Sequence, residues 1–234
     1  HNDTPNKNGV YSIELRIDST KIFGFMADRF AFNETRYINS MIDYGHFIRE
    51  KNRIIRSKID PQNALGMYNH SKGNGSFQFN EERDYQLVYT VKDFHGNVSK
   101  LNVSLQARRP ETAFSKTGNK ADSLHFLAAG KAHQFNEKNF TVHIPADALY
   151  KDEKIGYRFQ TDSSSFAETY CFGSPEIPLH KAAQFRMALP ETVIPDDKLL
   201  VVQMNDDKEP QPIGGKPEKG WMGFSTRKLG CFTI

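Results

Sequence analysis

Two cysteines in 234 residues are too few for a disulfide-dense scaffold, and they form no Cys-x-x-Cys pair. Cys171 and Cys231 both fall in the second half of the chain, where a single disulfide is geometrically open to them. The eight histidines contain no His-x-His and no His-Glu-x-x-His, so the closely spaced ligand pairs of zinc hydrolases are missing. No Gly-x-Ser-x-Gly elbow and no phosphate-binding glycine loop occurs. No apolar run approaches the length of a membrane span. A large charge of one sign is lacking too. The net charge of +3, from 31 basic and 28 acidic residues, is too small to point to nucleic acid. Helical periodicity is scarce, with no convincing pattern longer than about two turns.

What the chain does have is aromatic. Eighteen Phe and nine Tyr, within a hydrophobic share of 38%, favour a packed core and β structure, because flat rings fit a pleated surface. The length suits one large domain or two ordinary ones. Charge is uneven: residues 1–109 hold 16 Lys+Arg against 12 Asp+Glu, the remainder 15 against 16. Much of the excess sits at Arg49, Lys51, Arg53, Arg56 and Lys58, a stretch that could meet an anionic wall polymer or simply stay solvated. The opening His1-Asn-Asp-Thr-Pro has neither Met nor a signal peptide, and reads as a piece of a longer protein.

Val10–Asp18 alternates as a half-buried strand, and Lys21–Met26 returns as its hairpin partner. In the stretch Asp28–Tyr44, Phe30 and Phe32 alternate with Arg29, Ala31 and Asn33 at strand spacing. Asn33-Glu34-Thr35 then supplies turn chemistry. If the chain doubles back, Asp28, Glu34 and Asp43 come within reach of Arg29 and Arg36, with Tyr37 and Tyr44 alongside. Gly45–Lys58 fits a short helix or an extended loop, Asp60–Asn63 a turn and Leu65–Tyr68 a short strand. Tyr85–Val91 and Leu101–Ala107 are two strands around Gly96-Asn97, with Leu101, Val103 and Leu105 on one face. Two such strands before a proline linker are the usual end of an immunoglobulin-like sandwich, so a domain boundary is placed at Arg108-Arg109-Pro110-Glu111.

Residues 111–123 read as a connector, and short strands run from Lys131 to Ile234. Pro145 stops the strand ending at Ile144, and Ala148 and Leu149 can tuck the following turn into a core. Asn205-Asp206-Asp207 and Gly214-Gly215 supply turns. The expected fold is therefore all-β: two tandem β-sandwich domains, 1–109 immunoglobulin-like and 110–234 a second sandwich module.

Candidate chemistry is thin. His143-x-x-x-Asp147 is a metal-like pair on one strand face, but Pro145 interrupts the strand and no third ligand is evident. Asp206-Asp207 and Asp93 could hold calcium at a turn, and exposed turn carboxylates explain them equally. Trp221, Tyr157, Phe159 and Tyr170 could form a sugar-stacking platform or belong to the core. No cofactor is implied, and no catalytic or metal residue is assigned.

Gly9–Leu15, Asp28–Ser40, Ile42-Asp-Tyr44, the Asp93–Ser99 turn, Ile144-Pro-Ala-Asp-Ala-Leu-Tyr150, Pro178-Leu-His180 and Gly230–Ile234 together resemble the region that follows the catalytic domain in certain bacterial lysostaphin-type zinc metallopeptidases. Ile144-Pro-Ala-x-Ala-Leu149 also resembles a β-sandwich module of ankyrins and netrin receptors. The first resemblance implies a non-catalytic, exported tandem whose parent cleaves peptide cross-links in cell wall. Its partners would be the parent's catalytic domain and peptidoglycan or another glycan, in the periplasm or at the cell surface. That family binds zinc through a His-x-x-x-Asp pair and a later His-x-His. This chain lacks the second motif, and its His143-x-x-x-Asp147 lies inside the second module, so no catalytic residue carries over. Asp28, Arg29, Glu34, Arg36, Tyr37, Asp43 and Tyr44 are then structural motif residues. The other readings are a stand-alone carbohydrate- or protein-binding module of a cell-surface protein, marked by an exposed aromatic strip, and a hydrolase, marked by a concave pocket with a perturbed His or carboxylate beside a nucleophile.

Overall fold

Alternating residues make the first hairpin. Ser12–Ile17 (β1) and Thr20–Met26 (β2) pair antiparallel across a turn in which Asp18 takes a left-handed φ of 52°. The computed structural model describes residues 9–29, 31–69, 72–109, 124–161, 168–189, 199–205 and 208–234. The connector at 111–123, Pro110, Phe30 and Asp206-Asp207 lie outside them. Among the described residues the fold is nearly all-β, with three antiparallel sheets and few helices. The chain divides into two units: His1–Ile42 with Ile55–Thr117, and Asp43–Ile54 with Gly118–Ile234.

In the first unit Asp84–Lys92 (β3) and Val98–Gln106 (β4) join the hairpin, giving the order β2-β1-β3-β4. The expected turn between them holds: Gly96 supplies a φ of 85°, and Asp93 accepts the Asn97 amide at 2.9 Å. Leu15, Ile17, Phe23, Phe25 and Tyr85 are buried, together with Met41, Ile42, Ile59, Leu65 and Met67 of the intervening segment. That segment docks on the free edge of β2. Met26 N–H donates to Met67 O at 2.8 Å, Asn69 N–H donates to Gly24 O at 3.0 Å, and Phe25 bridges Tyr68. Position 24 must be glycine, because a Cβ there would lie 2.1 Å from Asn69 Oδ1. Among the described residues this unit holds one sheet, and the second sheet of an immunoglobulin-like pair is not among them.

Two expectations here need correction. The strand expected at Phe32 does not form: β2 has ended at Met26, no ladder among the described residues receives Ala31–Asn33, and Phe32 is 94% exposed. The chain instead winds into a 3₁₀ turn over Phe32–Tyr37 and a single α-turn over Ile38–Met41 (α1). Thr35 Oγ1 donates to Phe32 O at 2.6 Å and Glu34 accepts the Ala31 amide at 3.4 Å, local bonds that compete with a ladder. Leu65–Tyr68 contributes a single bridge where a strand was expected.

The second unit contains the larger core. Phe140–Ile144 (β7), Ala183–Ala188 (β10) and Trp221–Thr226 (β14) form the middle of a five-stranded sheet, flanked by His133–Glu137 (β6) and Lys216–Glu218 (β13). A six-stranded sheet runs Lys208–Gly214 (β12), Val201–Asn205 (β11), Gly230–Thr233 (β15), Glu168–Phe172 (β9), Glu153–Thr161 (β8) and Leu124–Leu127 (β5). The chain passes from one sheet to the other at Gly214-Gly215, with φ values of 90° and 153°. Period-two alternation turns Phe140, Val142, Phe185, Met187, Met222 and Phe224 of one sheet against Ile155, Tyr170, Phe172, Val201 and Phe232 of the other. Phe140 stacks on Tyr170 at 5.2 Å and Phe185 meets Phe232 at the same separation, so the layers share one sandwich-like core.

Candidate binding surface

Residues Asp43–Ile54 are paired at their two ends. Asp43 N–H donates to Ile54 O at 2.8 Å, Ile42 bridges Ile55, and Arg56 N–H donates to Met41 O at 2.9 Å. Between these ends Tyr44–Glu50 forms α2. Asp43 caps it by accepting the His46 amide at 2.9 Å, and Lys51 ends it in the left-handed conformation. The helix is short because its cap and its stop are only eight residues apart in the sequence.

The basic stretch is split by this geometry. Arg53 and Lys51 place their charges 5.1 and 5.8 Å from the Phe47 ring centre, and both are exposed. Arg49 pairs with Glu176, which holds its guanidinium above its usual range. Arg56 belongs elsewhere. Its guanidinium grips Asp60 with two bonds of 2.9 Å, while Ser40 Oγ donates to the same carboxylate at 2.7 Å. Asp60 is only 3% exposed, so this is a buried structural clamp. Lys58 lies in the first unit and is exposed. Lys51 and Arg53, backed by Phe47, therefore remain as the cationic surface.

Several of the motif residues make local hydrogen bonds. Glu34 accepts the Ala31 amide and Asp43 the His46 amide, so both carboxylates serve as helix caps. Asp28 and Arg29 are exposed; Arg36 is exposed and engaged. Tyr37 O accepts from Asn63 Nδ2 at 3.0 Å, and the half-buried Tyr44 phenol is pushed up by desolvation. Sequence reasoning missed the Ser40–Arg56–Asp60 clamp. The four-residue spacing of Arg56 and Asp60 was the available signal, hidden because the segment is not helical.

Other candidates separate. His143 hydrogen-bonds Gln134 at 3.2 Å, whereas Asp147 pairs with Lys181 at 3.3 Å. Among the described residues no three His, Cys, Asp or Glu side chains cluster as a metal site. Tyr170 is buried and Tyr157 half-buried within the core, and Trp221 is on the opposite sheet beside Arg186 at 5.3 Å, so the four rings form no common platform. Cys171 and Cys231 are bonded to each other at a paired position of β9 and β15. A cleft of about 230 Å³ opens in the second unit, lined by His125, Phe126, His133, Gln134, Phe135 and Phe172 among others. His133 Nε2 hydrogen-bonds Ala128 O at 2.8 Å, and His125 Nε2 is buried without a protein partner. This lining offers two imidazoles and an amide, with apolar walls.

Two of the segments noted in the sequence meet in space. Leu149 bridges Leu179, His180 N–H donates to Ala148 O at 2.8 Å, and the Tyr150 hydroxyl hydrogen-bonds His180 Nδ1 at 3.2 Å. Ala148 and Leu149 are fully buried, as their place after Pro145 suggested. A family model described as a Zu5-like domain matches residues 124–234, just under half of the chain and including both segments. No curated protein matches the chain.

Proposed function

We propose that this chain is a non-catalytic accessory tandem of an exported cell-wall metallopeptidase, two β-sandwich-type modules, the first of immunoglobulin type, that hold surface loops against wall material and the parent's catalytic domain. The observation that carries this reading is the Asp43–Ile54 excursion. Its ends are tied by a backbone bond, and it presents Lys51 and Arg53 over Phe47, a cationic and aromatic surface suited to an anionic glycan polymer. The Cys171–Cys231 bond supports an extracytoplasmic setting, because such bonds persist in oxidising compartments. The resemblance of Asp28–Ser40 and its neighbours supports a peptidase parent.

A stand-alone carbohydrate-binding module is the second reading. It is favoured by the cleft at His125 and His133, whose apolar walls and unpartnered imidazole nitrogen suit a small polar ligand.

The test is co-sedimentation of the full chain with purified peptidoglycan sacculi at low and moderate salt, beside a Lys51→Glu/Arg53→Glu variant. Arg56 is left intact because its loss would unfold the clamp. Binding that survives moderate salt and falls about tenfold or more in the variant supports wall targeting through this loop. No binding at either salt removes the wall-targeting role. Binding that the variant leaves unchanged, but that soluble sugar displaces, moves the site to the cleft.

A further inference from the structure

The two edges of the four-stranded sheet are treated differently. β2 is closed by the 67–69 segment, as described above. β4 is open: among the described residues, β3 is the one segment whose backbone bonds it. It is nine residues long, runs in unbroken register with β3, contains no proline or bulge, and is exposed at every residue except Leu105. Natural sheets usually guard such an edge with charges, prolines, bulges or a covering segment. Here Lys100 is the single charge.

The direction of its free backbone groups can be read from the ladder ends. Ala107 N–H donates to Arg83 O, and Asp93 N–H donates to Asn97 O. Bonded and non-bonded pairs alternate in an antiparallel ladder, so Ser99, Leu101, Val103 and Leu105 bond β3. Val98, Lys100, Asn102, Ser104 and Gln106 turn their N–H and C=O groups outward.

We infer that this edge pairs with β4 of a second copy of the chain, antiparallel and centred on Asn102. In that register Val98 faces Gln106, Lys100 faces Ser104 and Asn102 faces its own copy, so outward groups meet outward groups along the whole strand. On one face Leu101 lies across from Val103, and Ser99 from Leu105. Leu101 and Val103, 59% and 38% exposed in the single chain, then become the middle of a continuous apolar row. Charge selects the same arrangement. The two Lys100 residues stand four positions apart, roughly 14 Å, beyond the screening length of about 8 Å at physiological salt. A two-fold axis through Asn102 closes the pair, so no fibre propagates from this edge.

The test is sedimentation equilibrium of the full chain across a concentration series, with three variants. Asn102→Pro removes an outward N–H and none of the β3 ladder, so far-ultraviolet circular dichroism is expected to stay the same while the dimer dissociation constant rises about tenfold or more. Leu101→Cys mixed with Val103→Cys should give a covalent dimer under mild oxidation, and each variant alone much less. A chain that is monomeric at every concentration overturns the inference. So does a dimer that Asn102→Pro leaves unchanged, or a cross-link no greater in the mixture than in either variant alone.

Discussion

Replacing the bonded pair by alanines, Cys171→Ala/Cys231→Ala, tests how the second unit is held together. The bond closes a loop of 60 residues. For that length the chain-entropy relation removes about 14 cal/mol/K from the unfolded ensemble, or about 4 kcal/mol at 25 °C. The native state should change little, since the two positions remain backbone-paired between β9 and β15 and flank the core residues Tyr170, Phe172 and Phe232. Trp221 is the sole tryptophan of the chain and sits on β14, so its fluorescence reports the second unit alone. With a urea slope of about 1.5 kcal/mol/M, the midpoint should fall by about 2 to 3 M in the variant. Reductant should move the wild type by the same amount and leave the variant where it was. A shift below about 0.5 M would refute the loop-entropy reasoning. Two free thiols in the unreduced, unfolded wild type would refute the bond itself.

Three further outcomes are expected. Arg56→Met strands the Asp60 carboxylate in the first unit, and because Arg56 is itself partly exposed the loss should sit near the lower end of the range for broken buried pairs, about 3 kcal/mol, read as a lower calorimetric transition; adding Asp60→Asn should recover part of it, and an unchanged transition would deny the clamp. Asp18 is held below the usual carboxylate range by the Gln86 amide first and the Arg83 guanidinium second. Its contribution is therefore complete above about pH 4 and is lost as pH falls through the lower folded value. Carboxyl NMR should show that depressed midpoint, and Arg83→Gln should raise it. The Tyr170 phenol is pushed well above its ordinary range by burial and by the Glu168 carboxylate that accepts its hydrogen bond. Stability from it is complete below about pH 10 and is lost as pH climbs through the higher folded value; Tyr170→Phe should remove a late phase from the phenolate absorbance titration, and an unaltered late phase would contradict the assignment.

Local pattern was legible wherever a single residue's geometry decides the outcome. Alternation placed β1 to β4 and, in the second unit, β7, β8, β10 and β14, since side chains on a strand change face at every step, but it did not mark β5, β9 or β12. Pro145 ended β7 and Gly96 turned β3 into β4 for equally local reasons. The same alternation misled at Phe32, because a strand also needs a partner ladder, and β2 has its free edge taken by residues 67–69. It correctly put Leu101, Val103 and Leu105 on one face of β4 and had no means of saying that much of that face is left uncovered.

The basic stretch shows the division most plainly. Five cations close in sequence look equivalent, yet folding buries Asp60 beside Arg56, lays Glu176 against Arg49, and leaves Lys51 and Arg53 around Phe47. Composition and period by themselves determined a β-rich chain with an aromatic core, since they depend on neighbours along the backbone. Whether the two cysteines bond, that Arg49 meets Glu176, and which edge stays open among the described residues were decided by tertiary structure alone, because each depends on residues tens of positions apart that only the fold brings together.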